Sequence, residues 1–134
     1  MFIIIVGCGR LGSHLASAFS EQGQEVVIID RREATFDKLP EYFTGFGIAG
    51  DATEPAVMES AGIDRCDALL AVTENDNTNI LIAQLAREIF RTPKVMARVF
   101  DPARASVYES LGIEAICPTI LGGHQFIESL NIDR

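Results

Sequence analysis

The sequence has no tryptophan, few aromatic residues and no cluster of basic residues. Its formal net charge is −8, which repels the phosphate backbone of nucleic acids and an anionic membrane surface alike. The apolar run Phe2–Val6 is far too short to span a bilayer, and no basic leader precedes it. We therefore expect a cytoplasmic protein with no nucleic-acid partner.

Several recurrent chemical motifs are missing as well. The three cysteines, Cys8, Cys66 and Cys117, are widely separated and lack CxxC spacing, so neither a disulfide framework nor a zinc site is indicated. The sequence has no G-K-[ST] of a P-loop, no Tyr-x-x-x-Lys pair and no G-x-S-x-G elbow. It therefore offers no catalytic constellation.

The composition that remains is that of one compact domain, which we expect to cover residues 1–134. The chain is 48% hydrophobic and 22% charged, as ordered soluble domains of this size are. Short apolar runs alternate with longer segments of helical period, the pattern of βαβ units around a parallel sheet that is buried on both faces. The predicted strands are Phe2 to Val6, Glu25 to Ile29, Gly45 to Ala49, Ala68 to Val72, Lys94 to Val99 and Glu114 to Ile116.

The segments between these strands are predicted to be helices. Apolar residues recur at helical spacing in two of them, at Leu11, Leu15 and Phe19 and again at Ile82, Leu85 and Ile89. Left-handed glycines are expected after three helices, at Gly23, Gly62 and Gly112. Right-handed crossovers then predict a doubly wound α/β fold, a six-stranded parallel sheet of order 3-2-1-4-5-6.

The loop Gly7-Cys8-Gly9-Arg10-Leu11-Gly12 matches G-x-G-x-x-G directly after a strand and directly before a helix. In a dinucleotide-binding fingerprint the first glycine permits the tight turn, the second lets phosphates approach the backbone, and the third lets the helix pack on its strand. Free amides at the helix start then hold the anion. The alternative is a purely structural glycine turn.

An acidic residue at the end of the second strand completes that fingerprint. Asp30 stands eighteen residues after Gly12, close to the expected spacing of about 20, and its carboxylate is expected to accept both ribose hydroxyls. The alternative is that Asp30 caps the next helix. Asp30 also repels a 2′-phosphate, which favours NAD or ATP over NADP, although Arg31 and Arg32 weaken that argument. Arg31 is a candidate for stacking on adenine.

Two further polar segments fall at the same edge of the predicted sheet. In Gly50-Asp51-Ala52-Thr53, Asp51 either bonds the adenine amino group or, like Thr53, caps the helix that begins near Glu54-Pro55. After the fourth strand, the segment Thr73-Glu74-Asn75-Asp76-Asn77-Thr78-Asn79 lies where the second half of a ligand would bind.

Arg98 interrupts an apolar strand that is expected to be buried on both faces. An unpaired guanidinium there is costly, so Arg98 needs an anion. The anion is either a ligand phosphate, which the crevice position favours, or a carboxylate such as Asp76 or Asp101.

Other residues suggest weaker hypotheses. Cys8, at a helix start where a thiol pKa can fall, is a candidate redox sensor, although a variable small residue is the plainer interpretation. His14 and His124 have no nucleophile or metal partner and are expected at the surface. The apolar segment Thr119 to Asn131 either covers a partner subunit or packs on the sheet.

Taken together, G-C-G-R-L-G, Asp30, G-D-A-T, V-T-E-N-D-N-T-N and A-R-V-F-D-P resemble the RCK N-terminal domain family, also called KTN or TrkA-N. The resemblance covers essentially the whole chain. It implies a cytosolic regulator of a potassium channel or transporter that binds NAD(H), ATP, ADP or AMP, forms homo-oligomers and meets the membrane only through a separate transporter subunit. Many such regulators also have a C-terminal ligand-binding domain, which the 134 residues do not include.

The resemblance and the motifs together define the candidate nucleotide site. Arg10 resembles the family's arginine that reaches terminal phosphates or the neighbouring subunit. The candidate residues are Gly7, Gly9, Arg10, Leu11, Gly12, Asp30, Arg31, Asp51, Ala52, Thr73, Glu74 and Arg98. The leading hypothesis is a non-enzymatic, nucleotide-sensing regulator; the alternatives are a small NAD-dependent oxidoreductase and a nucleotide-bound assembly subunit.

Overall fold

The computed structural model describes residues 1–131, which form a six-stranded parallel sheet with helical crossovers. The strands are β1 (Phe2–Val6), β2 (Glu25–Asp30), β3 (Phe46–Ala49), β4 (Ala68–Ala71), β5 (Lys94–Arg98) and β6 (Glu114–Ile116). The α-helices are α1 (Arg10–Glu21), α2 (Pro55–Ser60), α3 (Asp76–Gln84), α4 (Ala105–Ser110) and α5 (Pro118–Leu130). Residues 132–134, the end of the predicted domain, lie outside the described part.

The predicted sheet order is confirmed as β3-β2-β1-β4-β5-β6. Every strand pair is parallel, so all six carboxyl ends lie along one edge. The chain moves from β1 towards β3 and then crosses back to β4 on the other side of β1. The switch point between β1 and β4 is therefore where a crevice is expected to open.

The apolar strand runs form one core on each face of the sheet. Ile3 and Ile5 point to one face while Ile4 and Val6 point to the other, and all four are buried. This continuous burial matches a central strand that is covered by helices on both sides. The predicted helix residues Leu11, Leu15 and Phe19 pack against the first of these cores.

Four predicted strand ends are off by one residue. β2 continues to Asp30 and β3 starts at Phe46 rather than Gly45, while β4 and β5 end before Val72 and Val99. The amides of Val72 and Val99 still donate to Val6 O and Ile116 O, so the ladders fade gradually and the apolar pattern does not mark the last residue.

The helix predicted around Ile82, Leu85 and Ile89 needs a correction. Ile82 is buried in α3, but a π-turn follows over Leu85–Ile89 and leaves Ile89 63% exposed. A π-turn holds one extra residue per turn, so it rotates the later positions off the apolar stripe. The predicted left-handed glycines Gly23, Gly62 and Gly112 are confirmed.

The last helix, α5, does not pack on the sheet. None of its residues is buried, and its large apolar side chains face outward. The exposed ones are Ile120, Leu121, Phe126, Ile127 and Leu130. The interpretation of this segment as a sheet-covering helix is therefore wrong. Among residues 1–131, no helix combines the length and the apolar character needed to cross a bilayer.

The close packing of Gly12 against the Gly7 carbonyl allows a direct test of the fold. A methyl group on Gly12 would stand 1.7 Å from the Gly7 carbonyl oxygen, so we expect Gly12→Ala to lower the free energy of unfolding by about 3 kcal/mol, the upper range for overpacking. In α2, Glu59 is exposed, and Glu59→Ala is the control, expected to stay within about 0.5 kcal/mol of wild type. Urea unfolding followed by circular dichroism measures both. Equal changes in the two variants would contradict this packing.

Candidate functional site

A cleft of about 580 Å³ opens at the switch point, over the carboxyl ends of β1, β2 and β4. All the predicted site residues line it except Arg10, Leu11 and Gly12. Those that line it are Gly7, Gly9, Asp30, Arg31, Asp51, Ala52, Thr73, Glu74 and Arg98. The cleft therefore joins the glycine loop, the β2 and β3 ends and the segment after β4 in one continuous space.

Each of the three glycines in the loop lacks a side chain for a different structural reason. Gly7 has φ +108°, and a Cβ there would stand 3.0 Å from backbone atoms of Val72 and Thr73. Gly12 sits against the Gly7 carbonyl and so sets how closely α1 approaches β1. Gly9 is open, with only the Glu74 carboxylate oxygen within 4 Å of its Cβ position. Gly9 is therefore the face that a phosphate can approach.

The start of α1 is suited to an anion. Gly9 caps the helix with no side-chain hydrogen bond, and the first turn contains no acidic residue. First-turn amides have no partner within a helix, so they stay available to an anion beside the open Gly9. Arg10 is exposed at the first helical position, beside the cleft rather than in its wall.

Asp30 ties the glycine loop to the end of β2. Its Oδ2 accepts a hydrogen bond from the Cys8 amide at 2.8 Å, and its Oδ1 accepts one from the Arg32 amide at 2.9 Å. The next helical turn, a 3-10 helix over Glu33–Lys38, has no side-chain cap, so Asp30 is not the helix cap that was the alternative interpretation. A carboxylate oxygen accepts more than one hydrogen bond, which leaves Asp30 capacity for ribose hydroxyls.

The end of β3 places a second carboxylate across the cleft. Asp51 Oδ1 accepts hydrogen bonds from the hydroxyl and the amide of Thr53, at 2.7 and 2.9 Å, and its Oδ2 lies 3.5 Å from Arg31 Nη2. The Thr53 hydroxyl, then the Thr53 amide and Arg31, lower the pKa of Asp51 below its ordinary value. Helix α2 has Glu54 at its cap position and no side-chain cap, so the capping interpretation of Asp51 and Thr53 is wrong.

Arg98 is partnered by backbone carbonyls. Its Nη2 donates to Val72 O and Thr73 O at 2.7 Å each, and its guanidinium stacks on the Phe100 ring at 4.6 Å. The predicted carboxylate partners are engaged elsewhere: Asp76 accepts from the amides of Phe100 and Asp101, and Asp101 accepts from the amide of Ala103. A carboxylate partner from Asp76 or Asp101 was therefore the wrong interpretation. Burial lowers the pKa of Arg98, and the charges of Glu74 and Asp76 oppose that shift.

One Arg98 donor has no partner. Within residues 1–131, the buried Nε of Arg98 has no hydrogen-bond acceptor, although the residue lines the cleft. A buried unpaired donor is costly and rare. An anion that reached this side of the cleft would supply the missing acceptor.

Asn79 was not singled out as a site residue, yet it organises this half of the cleft. Its side chain is fully buried and donates to Thr73 O and Arg98 O, both at 3.0 Å. It also accepts from the Thr73 amide at 2.8 Å and the Thr73 hydroxyl at 2.6 Å. The signal in the sequence was a polar residue three positions before the buried Ile82, on the apolar side of α3.

The segment that follows β2 adds lining residues that are not in the predicted site set. Arg32, Thr35 and Lys38 line the cleft together with the β2 end. The basic lining residues are Arg31, Arg32, Lys38 and Arg98, against the acidic Asp30, Asp51 and Glu74. The cleft thus has an excess of positive charge inside a chain of net charge −8.

Cys8 does not fit the redox hypothesis. It is fully buried, its thiol faces Thr35 O at 3.4 Å, and burial raises its pKa. The expected fall in pKa at a helix start is therefore wrong, because loss of solvent dominates the pKa of this thiol. The predicted surface positions of His14 and His124 are confirmed.

Comparison with known proteins gives consistent findings. A family model described as the TrkA-N domain matches residues 3–118. Over 130 residues the chain is 40% identical to a "Trk system potassium uptake protein TrkA" of Streptomyces coelicolor, covering 97% of this chain and 58% of that protein. It is 37% identical over 113 residues to a TrkA homolog of Pyrococcus abyssi, covering 83% of this chain and 49% of that protein. The chain therefore spans about half the length of these relatives.

Solved structures share the fold. The TrkA-N domain of the Escherichia coli inner membrane protein ybaL has a TM-score of 0.86 at 20% identity, with 96% of each chain covered. The Shewanella denitrificans Kef C-terminal domain, in an AMP-bound form, has a TM-score of 0.81 at 25% identity, with 98% and 81% covered. A structure of GsuK bound to ADP has a TM-score of 0.79 at 25% identity, with 93% and 32% covered.

The Asn79 network gives a test of how the cleft wall is held. We expect Asn79→Ala to lower the free energy of unfolding by about 2–3 kcal/mol, because it removes four hydrogen bonds and leaves buried backbone groups unpaired. On the same helix, Asn77 is exposed, and within residues 1–131 its side chain accepts a hydrogen bond from Arg104 alone. Asn77→Ala is therefore the control and is expected to stay within about 0.5 kcal/mol. Thermal and urea unfolding give both values. A loss below 1 kcal/mol for Asn79→Ala would show that the network contributes little.

Proposed function

The chain belongs to the TrkA-N domain family, and from that premise we propose that its cleft binds an adenine nucleotide, NAD(H) or ATP, ADP or AMP, to regulate potassium transport. The main support for the proposal is the hydrogen bond between the Asp30 carboxylate and the Cys8 amide of the glycine loop. The open Gly9 face and the free amides of α1 suit phosphate, and the Asp30 carboxylate stands one hydrogen bond away from that loop. In a nucleotide the ribose and the phosphate are adjacent, as the Asp30 carboxylate and the glycine loop are in this cleft.

The two sides of the cleft fit the two ends of such a ligand. Asp51 and the basic residue Arg31 lie on the adenosine side, where the base would contact them. On the other side, the unpartnered Nε of Arg98 supports a contact to phosphate. Arg10, exposed at the start of α1, is placed to meet outer phosphates or a neighbouring subunit. The related Kef domain and GsuK structures are described as bound to AMP and ADP.

The proposed role is regulatory. The related proteins are named as Trk system potassium uptake proteins, so the partner we propose is a membrane potassium transporter or channel subunit that this cytoplasmic chain contacts. Regulation requires that the nucleotide bind two conformations of the assembly with different affinity. The cleft spans two halves of the sheet, and the polar network of Thr73, Asn79 and Arg98 links its far wall to α3 and β5. In this role the chain binds the nucleotide without turning it over.

We expect Asp30→Asn to weaken AMP and ADP binding by about 1.5–3 kcal/mol, because it removes charge-assisted acceptance from the ribose hydroxyls. Asparagine keeps the shape but only one of the two acceptor oxygens, so either the Cys8 or the Arg32 amide loses its partner; urea unfolding of Asp30→Asn measures that structural cost separately from the loss of affinity. Asp37, in the 3-10 helix and outside the cleft lining, provides the control Asp37→Asn. Isothermal calorimetry with AMP, ADP and NAD⁺ measures the losses. Unchanged affinity in Asp30→Asn would remove the ribose assignment.

The same two variants test the regulatory role in cells. Rubidium or potassium uptake is expected to lose its response to the regulator in Asp30→Asn and to keep it in Asp37→Asn. Uptake that is identical in wild type, deletion and both variants would leave an assembly role instead. Steady-state consumption of NADH with common acceptors would instead indicate an oxidoreductase.

We also propose that the chain forms a homodimer or a higher homo-oligomer through α5. Its exposed apolar residues lie on a helix that the rest of the domain does not cover, and Phe126 is 78% exposed. Gly122 and Gly123, in the middle of α5, have no atom within 4 Å of their Cβ positions. Helix-interior glycines lower helix stability, and none of the contacts among residues 1–131 requires them, whereas a second helix that crosses closely would.

We expect Phe126→Asp to convert the oligomer to monomers, because a charge at the centre of an apolar contact must be buried unpaired. Phe46, on the outer strand β3 and 71% exposed, gives the matched control Phe46→Asp, which is expected to keep the wild-type mass. Light scattering at micromolar concentration measures both. A monomeric wild type would overturn self-association, and an oligomeric Phe126→Asp variant would exclude α5 as the contact.

A further inference from the structure

An acidic side chain lies where the ligand's phosphates are expected. Glu74 follows the end of β4 and lines the cleft, and its Oε1 is 3.7 Å from the Cβ position of Gly9. Gly9 is the open face of the glycine loop, so the carboxylate projects over the approach to the helix start. The phosphates that all the candidate nucleotides bring to this loop meet the same carboxylate, so that shared interaction does not distinguish one candidate from another.

Glu74 is not neutralised by a neighbouring cation. Among residues 1–131, the ion pairs within 4.0 Å do not include Glu74. Arg98 is near enough for the Glu74 charge to favour its protonated form, but its Nη2 already donates to Val72 O and Thr73 O. The charge of Glu74 therefore remains directed at whatever occupies the cleft.

The place of Glu74 in the fold decides which part of a ligand it meets. Asp30 and Asp51 mark the first half of the cleft, and Glu74 belongs to the segment after β4, across the switch point. In a Rossmann crevice the second half of a dinucleotide lies on that side. Glu74 thus stands between the glycine loop and the space for a second nucleoside, with Thr73 and Thr78 along the same wall.

The candidate nucleotides differ in the charge that they bring to this point. NAD⁺ has a cationic nicotinamide ring, whereas the ring of NADH is neutral. ATP has no second nucleoside and brings further negative phosphates instead. A carboxylate in the second half of the cleft attracts the cationic ring of NAD⁺ and repels the outer phosphates of ATP. It has no net charge to attract on the ring of NADH.

We propose that Glu74 is a specificity-determining residue of the cleft, whose carboxylate favours the cationic nicotinamide ring of NAD⁺ over the neutral ring of NADH and over the outer phosphates of ATP. This inference rests on the proposed nucleotide binding and names the form that the site prefers. The oxidised dinucleotide is then the ligand class that the regulator senses.

Calorimetric titration of the full chain with NAD⁺, NADH and ATP tests the proposal. NAD⁺ and NADH share the adenosine and the pyrophosphate, so the ratio of their dissociation constants isolates the ring charge. We expect wild type to bind NAD⁺ about threefold more tightly than NADH, the size of one partly exposed charge pair, and the preference to shrink at high salt. In Glu74→Gln the ratio is expected to fall to about one, and ATP is expected to bind more tightly than in wild type.

Glu33→Gln is the matched control, because Glu33 is an exposed carboxylate at the same edge that does not line the cleft; it is expected to keep the wild-type ratio. A structural defect in Glu74→Gln would weaken all three ligands together, which the expected tighter ATP binding excludes. Nucleotide binding with a ratio that Glu74→Gln leaves unchanged, or a wild-type preference for NADH, would overturn this inference and leave the proposed function standing. Absence of binding by every nucleotide would overturn both.

Discussion

The contact between Gly12 and the Gly7 carbonyl sets the geometry on which the rest of the site depends. Because Gly12 has no side chain, α1 lies directly against the loop that leaves β1, and its free amides point over the edge of the sheet. The Asp30 carboxylate then fixes that loop to β2 through the Cys8 amide. Because Gly12 has no methyl group, the start of α1, the glycine loop and the end of β2 can lie next to one another.

The two halves of the cleft are held in different ways. The first half relies on the backbone, with glycines that permit close approach and a carboxylate that accepts from main-chain amides. The second half relies on buried side chains, since Asn79 and Arg98 hold the carbonyls of Val72 and Thr73 where β4 ends. The first half therefore depends on glycines and on one carboxylate, whereas the second half depends on two buried side chains whose loss would leave backbone carbonyls unpaired.

Charge is distributed unevenly over the molecule. The chain is strongly acidic, yet basic residues outnumber acidic ones in the cleft wall, and the 3-10 helix after β2 supplies part of that excess. Within this wall the acidic groups are separated: Asp30 and Asp51 are engaged with amides, a hydroxyl and Arg31, while Glu74 faces the open space. A ligand therefore meets both basic and acidic side chains along the cleft.

The sequence by itself determined the sheet order, the glycine loop at the switch point and the carboxylate of Asp30 at its edge. These features depend on near-neighbour spacing: apolar runs, glycines where the backbone allows nothing larger, and an acid at a fixed distance from a strand. Only the tertiary structure decided that Arg98 donates to carbonyls rather than to a carboxylate, that Asn79 links three segments, and that Glu74 lies over Gly9. Those partners are 19 to 26 residues apart for Arg98 and its contacts, and parallel pairing of β4 with β5 brings them together. Which atom a side chain reaches depends on the strands beside it. Residues that lie side by side in two parallel strands are separated along the chain by a whole crossover connection.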